Sequence, residues 1–397
     1  MMPTDVVDAL AETAKPNAPA PHLLSVGLAA VDFVATVDHF PEPDEKMRSS
    51  SLLVEGGGNA ANSACAMAGM APYVQTSSLL TAVGDDANGK TIVEGLEQAN
   101  VNVVAEYYPK SSPFSYIINH NDTRTIIHQP SSGDMSNKFA VSQLKSSSFD
   151  AVHFDVRYPR AAMAFAKKCV EKKIPYSVDV ERPREGLDEL LQDATVVICN
   201  SNYCKMVDEE SNKKKDGDDD TASRLRRVMK QKAPKAKVAV QTLGGDGCCL
   251  VVLGADKKST KDGPVTLGKK DDKIKSPTVS IKDNAMYCSA FPNTKVVDTT
   301  GAGDAIIGGF LSAFWAYYVS VVEEKGKDFP ELPPEALAHI LRIASRVAAK
   351  KVEQQGARKG LPKAKNDDFL KTEFKSLLQE SFNFRSPEIE DPSSLTS

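Results

Sequence analysis

Short runs of β-forming, apolar residues recur along this chain, separated by stretches with helical spacing, and that alternation narrows the possible folds more than any other feature. Leu23-Leu-Ser-Val-Gly27 is followed by alternating residues from Val31 to Val37 and a Pro-rich turn. Further runs lie at Thr76 to Val83, Ala151 to Phe154, Tyr176 to Val180, Thr195 to Cys199, Val238 to Thr242 and Cys248 to Leu253. Between most of them stand helical stretches, at Ala60 to Met70, Gly89 to Gln98, Ala161 to Lys172 and Gly186 to Leu191. Strands alternating with helices build βαβ units, so an α/β fold around a mostly parallel sheet is expected.

The 397 residues, 41% apolar and 26% charged, supply a large core and exclude collagen-like, coiled-coil and wholly disordered chains. A net charge of −4 gives no global basic field, so neither nucleic acid nor a membrane is expected as a partner. Seven cysteines without a Cys-x-x-Cys pair, two of them adjacent at Cys248 and Cys249, read as reduced core thiols. Asp5, Asp8 and Glu12 argue against a signal or transit peptide. The longest apolar stretch, near Ile306 to Val322, reads as too short to span a bilayer. A cytoplasmic address is therefore the expectation.

Residues 1–21, rich in Ala and Pro, read as a flexible tail ahead of one domain over 22–365, with an extension at 366–397. Charge runs mark two insertions, 211–222 and 256–283, as solvated decoration. One segment breaks the alternation. Phe114 to His128 reads as a β-hairpin turning at Asn121-Asp122. It could join strand material near 31–54 in a small separate sheet, as a lid would, or form an edge hairpin on the main sheet.

Gly84-Asp-Asp-Ala-Asn-Gly89-Lys90-Thr91 satisfies the G-x-x-x-x-G-K-[ST] phosphate-loop pattern. Two carboxylates, Asp85 and Asp86, open a loop that would have to wrap an anion. Like charges at ~4 Å in an intermediate dielectric cost on the order of a few kcal/mol. That repulsion argues against the pattern.

Asp298-Thr-Thr-Gly-Ala-Gly-Asp304 makes a stronger case, because it runs directly into an apolar helix. Small residues permit a tight turn, and the helix start points free N–H groups and its positive dipole end at that turn. Gly301, Ala302 and Gly303 thus form a candidate anion hole for a transferring phosphoryl group. Asp304 beside it can act as a helix cap or as the base for an attacking hydroxyl. Gly56-Gly-Gly58-Asn59-Ala-Ala-Asn62 opens a second helix, offering close approach and amide groups to a polyhydroxylated ligand.

At these two segments the chain resembles the PfkB, or ribokinase-like, family of sugar and nucleoside kinases, over roughly residues 22–362. The resemblance reassigns Gly84 to Gly89 as the family's Gly-x-Asp-x-x-Gly stretch. Within the family, Asn59-Ala-Ala-Asn62-Ser63 and Ser177-Val-Asp-Val-Glu181-Arg-Pro-Arg-Glu185 are similar to the ketohexokinase (fructokinase) branch. The implied fold is a three-layer α/β sandwich with a small β-sheet lid. The implied reaction is ATP-dependent phosphorylation of a small sugar, ketohexose-type, with Asp304 as base; a nucleoside kinase and a non-catalytic sugar-binding relative are the alternatives.

The resemblance also implies site residues. Asp32, Asp44, Gly58, Asn59 and Asn62 would contact the sugar, as would Asp155, which stands where that branch has a glutamate. Arg124 on the hairpin would meet phosphate or close over the sugar. Asn200, Thr242, Gly244 and Gly247 would line the nucleotide, and adenine would lie near Ala344 to Val352. Asn200-Ser-Asn-Tyr203 lacks the glutamate of the family's Asn-x-x-Glu motif. Mg²⁺ would accompany ATP, and many members hold K⁺ on backbone carbonyls near the Gly301 turn. Two exposed lids could pair into a homodimer.

Overall fold

A computed structural model describes residues 20–121, 123–131, 133–146, 148–210, 220–254, 261–265, 267, 276–322 and 329–385. The tail up to residue 19, most of the first charged insertion, half of the second and the last twelve residues lie outside the described residues.

The chain opens with β1 (His22–Val26), β2 (Ala30–Thr36), β3 (Ser51–Gly57), α1 (Asn59–Ala68), β4 (Thr76–Gly84), α2 (Ala87–Gln98) and β5 (Asn102–Tyr108). Then come β6 (Phe114–His120), β7 (Thr123–Gln129), α3 (Asn137–Ser146), β8 (Ala151–Phe154), α4 (Pro159–Glu171), β9 (Tyr176–Val180) and α5 (Leu187–Leu191). Next are β10 (Val196–Asn200), α6 (Ser201–Glu210), α7 (Thr221–Lys232), β11 (Val238–Thr242), β12 (Cys248–Val252), β13 (Gly263–Pro264), β14 (Val279–Lys282) and β15 (Ala285–Cys288). Three long helices finish it: α8 (Ala302–Val321), α9 (Pro334–Val352) and α10 (Asp368–Arg385).

An 11-stranded sheet forms the centre, in the order β13-β14-β15-β12-β11-β10-β9-β8-β1-β4-β5. From β11 to β5 every neighbour is parallel, and β12 to β13 extend it antiparallel. Parallel strands are covered on both faces and so are apolar on both. In β10, Val196 and Ile198 face a core built with α1, α8, α9 and α10. Val197 and Cys199 face the opposite core, which takes in residues of α4, α6 and α7. All seven cysteines are free, buried thiols.

The hairpin belongs to a second, 4-stranded sheet, ordered β3-β2-β6-β7. Its one parallel contact, β2 on β6, sets Asp32 opposite Ser115, while Glu55 and His128 continue the row on either side. The lid reading therefore holds over the edge-hairpin one.

Several elements depart from the sequence expectation. Strand β5 adds an edge beyond β4. Part of the 256–283 insertion is sheet, as β13 and β14. Asp220, within the first charge run, caps α7 by accepting from Ala222 and Ser223. The 366–397 extension is not peripheral over its described part, since Phe369, Leu370, Phe374 and Leu377 of α10 are buried in the core. Helix α8, at 20 residues, is long and apolar enough to cross a membrane, contrary to the shorter stretch read from sequence, but it is mostly buried here. The phosphate-loop pattern is filled from within: Asp86 accepts from Gly89 N at 2.8 Å and Ser112 N at 3.0 Å, and Lys90 points outward toward Glu94.

Candidate active site

Parallel register sets the carboxyl ends of β1, β8, β9, β10 and β11 in one row. Ligands of open α/β sheets bind along that edge. Asp155 follows β8, Glu181 follows β9, and Asn200 and Thr242 end β10 and β11. The N-termini of α1 and α8 meet there. Asn62, in α1, donates from Nδ2 to Asp304 Oδ2 at 2.8 Å. Its Oδ1 accepts from Arg358 Nε at 2.8 Å, and Arg358 also donates to the Gly57 carbonyl at 2.8 Å. An arginine can only donate, so it fixes the amide with its NH₂ toward the carboxylate. Burial pushes the Asp304 carboxyl up to about 7; the Asn62 donor works against that shift, and the charges of Glu181 and Asp155 add to it.

The turn before α8 is tightly braced. Gly301 is its cap at φ 72°, ψ 8°, and a Cβ there would come within 2.8 Å of the Ala357 carbonyl, so both conformation and contact require glycine. Asp298 accepts from Thr300 N and Gly356 N, each at 2.8 Å. Burial disfavours its charge, but these amides and the Lys351 charge hold the carboxyl below its ordinary range. Ala302 N–H goes to the Thr299 carbonyl at 3.1 Å. Of the three expected anion-hole residues, Ala302 therefore already has its donor engaged. From the lid, Arg124 Nη1 reaches Thr300 Oγ1 at 3.1 Å and Thr299 Oγ1 at 3.4 Å. The lid thus meets the turn that the sequence reading assigned to phosphate.

Asp32 is 8% exposed, and its carboxylate lies where a Cβ on Gly57 would collide with it. Burial raises its pKa, while Ser115 and the Arg358 charge lower it. Through Arg358, Asp32 is contiguous with Asn62 and Asp304. Gly58 caps α1 at φ 96°. Asn59 donates to Glu181 Oε1 at 2.9 Å and to Asp179 Oδ2 at 3.4 Å.

Two expected sugar contacts sit differently. Asp44 occupies an exposed turn at φ 64°. Asp155 is 4% exposed, and its oxygens accept from Leu28 N at 2.8 Å, Ala60 N at 3.1 Å and Arg157 N at 3.0 Å. With three backbone amides on it, this carboxylate braces the site.

On the nucleotide side, Asn200 Oδ1 accepts from Tyr203 N at 2.9 Å, capping α6, and Thr242 Oγ1 lies 3.5 Å from the Cys199 carbonyl. Tyr203, in the place of the family's glutamate, is buried in the core. Gly244 and Gly247 take φ of 60° and 95° around a short helical turn. Sequence reasoning missed Arg358, Lys351 and Glu55. The cue for Arg358 was a cation in a Gly-flanked turn, Gly356-Ala-Arg-Lys-Gly360. Among the described residues no cluster of three or more His, Cys, Asp or Glu could hold a metal ion by itself.

A parallel-sheet edge with a carboxylic acid set at a helix N-terminus, under a β lid, suits phosphoryl transfer to a hydroxyl group. Residues 20–364 match the pfkB family carbohydrate kinases, and the chain belongs to that family. It is 26% identical over 354 residues to a ketohexokinase of Mus musculus, covering 84% of this chain and 97% of that protein. A ribokinase of Dictyostelium discoideum is 25% identical over 354 residues, covering 85% and 96%. A nucleoside kinase of Methanocaldococcus jannaschii is 24% identical over 294 residues, covering 73% and 82%. The fold is similar to ribokinase from Giardia lamblia, with TM-score 0.70 and 17% identity over 91% of this chain and 99% of that one. Arabidopsis thaliana ribokinase complexed with ribose and ATP gives TM-score 0.62 and 20% identity over 90% and 99%.

Proposed function

We propose that this kinase transfers the γ-phosphoryl group of ATP to a hydroxyl of a small sugar of ketohexose type. The observation that carries the reading is Asp304, a carboxyl with a pKa of about 7 set in the first turn of α8 and oriented by Asn62. Asp304 takes the proton of the attacking hydroxyl. Gly303 and Asp304 turn their amides, which have no partner within the helix, to the charge building on the phosphoryl oxygens. Arg124 brings a positive charge from the lid to the same turn, and positioning supplies most of the remaining acceleration. Asp32, Asn59 and the Gly57-Gly58 backbone bind the sugar hydroxyls, where paired polar groups discriminate strongly. Gly244, Gly247, Thr242 and Asn200 hold the nucleotide end.

The carboxylates fit a divalent cation carried by ATP. Asp179 lies close enough to Glu181 and Asp304 for their charges to add to the burial that raises its carboxyl well above its ordinary range, and these carboxylates would help hold Mg²⁺ brought with ATP. A cytoplasmic address, read from the seven buried thiols, is part of the same proposal.

The ketohexose assignment is supported by the Asn59 to Ser63 and Ser177 to Glu185 strings and by the mouse ketohexokinase likeness. Its test is ADP formation with MgATP against fructose, ribose, other small sugars and adenosine. Turnover of the ketohexose is the expected result. Turnover of adenosine alone would make the chain a nucleoside kinase. Thermal stabilisation by sugar without any turnover would make it a binding protein.

The outer lid face supports a homodimer. Register places Val54, Phe33, Tyr116 and Ile127 in one row across all four strands. Val54, Tyr116 and Ile127 are 48%, 52% and 56% exposed, so the row leaves large apolar side chains uncovered. The opposite face carries Asp32 and Arg124, so a second copy fits this one. Sedimentation should find a dimer, which Tyr116→Asp converts to monomer; a wild-type monomer at all concentrations would exclude it.

A further inference from the structure

Lys351, in the last turn of α9, is 0% exposed, a burial that lysine tolerates only when its charge is matched. Its Nζ donates to the Asp298 carbonyl at 2.7 Å. Val297 N and Asp298 N both donate to the Val352 carbonyl, at 2.7 and 3.1 Å, so the end of α9 is tied to the start of the turn at the residue next to Lys351. Glu55 Oε1 accepts from Ala357 N at 3.0 Å and closes the far side of the same loop. Desolvation lowers the Lys351 pKa, opposed by the negative charges of Asp298 and Glu55.

A backbone carbonyl in the turn before α8, with the negative charges of Asp298 and Glu55 nearby, suits a monovalent cation, and the family resemblance implies K⁺ near this turn. The residues present do not fit that ion, because a buried ammonium of the same charge and similar size already engages the carbonyl. We infer that Lys351 is a tethered replacement for the monovalent cation, so that the turn before α8 is braced and made positive without K⁺ or NH₄⁺. A fixed charge has a catalytic consequence. It adds to the potential of the helix N-terminus at the anion hole and needs no ion to be recruited.

The activity part of the test rests on the kinase reading, and the stability part does not. ADP formation and Tm of the full chain are measured in KCl and in tetramethylammonium chloride at equal ionic strength. For the wild type both should agree, within about twofold in rate and within about a degree in Tm. Lys351→Met should lose about tenfold or more in tetramethylammonium, the scale of one lost electrostatic donor. Added K⁺ should restore part of that rate and raise its Tm. Lys351→Gln, which keeps a donor but no charge, gives the same readout should the Met variant fail to fold. K⁺-dependent activity or Tm in the wild type overturns the inference, as do variants indifferent to K⁺ in both readouts. Should no substrate on the panel turn over, the Tm comparison decides alone, and only the kinase reading has failed.

Discussion

Asp304→Asn should lower kcat by about 10²–10⁴-fold, the range spanned by loss of a general base, with both KM values changed little. Asn keeps the shape and still accepts from Asn62, so the α1–α8 junction survives and only the proton acceptor is lost. The pH profile is the sharper test. A carboxyl at about 7 must be ionised to act, so wild-type kcat/KM should rise about tenfold per pH unit on the acid side and level off above pH 7. The variant's residual rate should lack that limb. Retained activity in Asp304→Asn together with loss in Lys90→Ala would reinstate the Gly84 to Thr91 loop as the phosphate site.

The same shift has a stability sign. The folded state holds the Asp304 proton up to about pH 7, while the unfolded chain releases it near the ordinary 3.8. Between those values the native protein binds more protons, so the stabilisation is complete in acid and is lost as pH rises through 7. The Asn variant has no such proton to lose. It should melt above the wild type at pH 8, with the gap closing toward pH 5; an Asp304 that cost stability in acid instead would contradict the assigned pKa.

The central strands were legible because burial on both faces leaves uninterrupted apolar runs, and β8, β9 and β11 begin and end where those runs do. Strand β5 was missed for the complementary reason: it is an edge, and Asn102 and Glu106 interrupt its pattern. Helix α10 was hidden by composition. Phe369, Leu370, Phe374 and Leu377 form a helical stripe, but it stands ahead of a Ser- and Pro-rich end that coloured the whole segment.

In the site, Asp298 to Asp304 could be read because its chemistry is contiguous: turn, helix start and acid occupy seven neighbouring residues. Arg358 and Lys351 could not be read that way. Each acts across some fifty residues or more, on Asn62 Oδ1 or on a backbone carbonyl, and no local spacing encodes such a contact. Asp44 was assigned a role by resemblance alone, and it stands in an exposed turn at φ 64°.

Asp155→Ala should cost on the order of 3–5 kcal/mol, because three amides lose one buried acceptor together. Those amides belong to the β1–β2 turn, the start of α1 and the end of β8, so the carboxylate ties three elements at the point from which Asn59 and Asn62 project. Against a typical total of about 5–15 kcal/mol, that is a large share of the stability. Asp155→Asn should cost less, since one acceptor oxygen remains, and Gly27→Ala should resemble Asp155→Ala because its Cβ would occupy the space of the carboxylate. Urea unfolding measures all three. A sugar ligand at this position would behave oppositely, raising KM for the sugar with unfolding unchanged. The brace predicts the reverse order: stability falls first, and activity falls with it because α1 no longer presents Asn62 to Asp304.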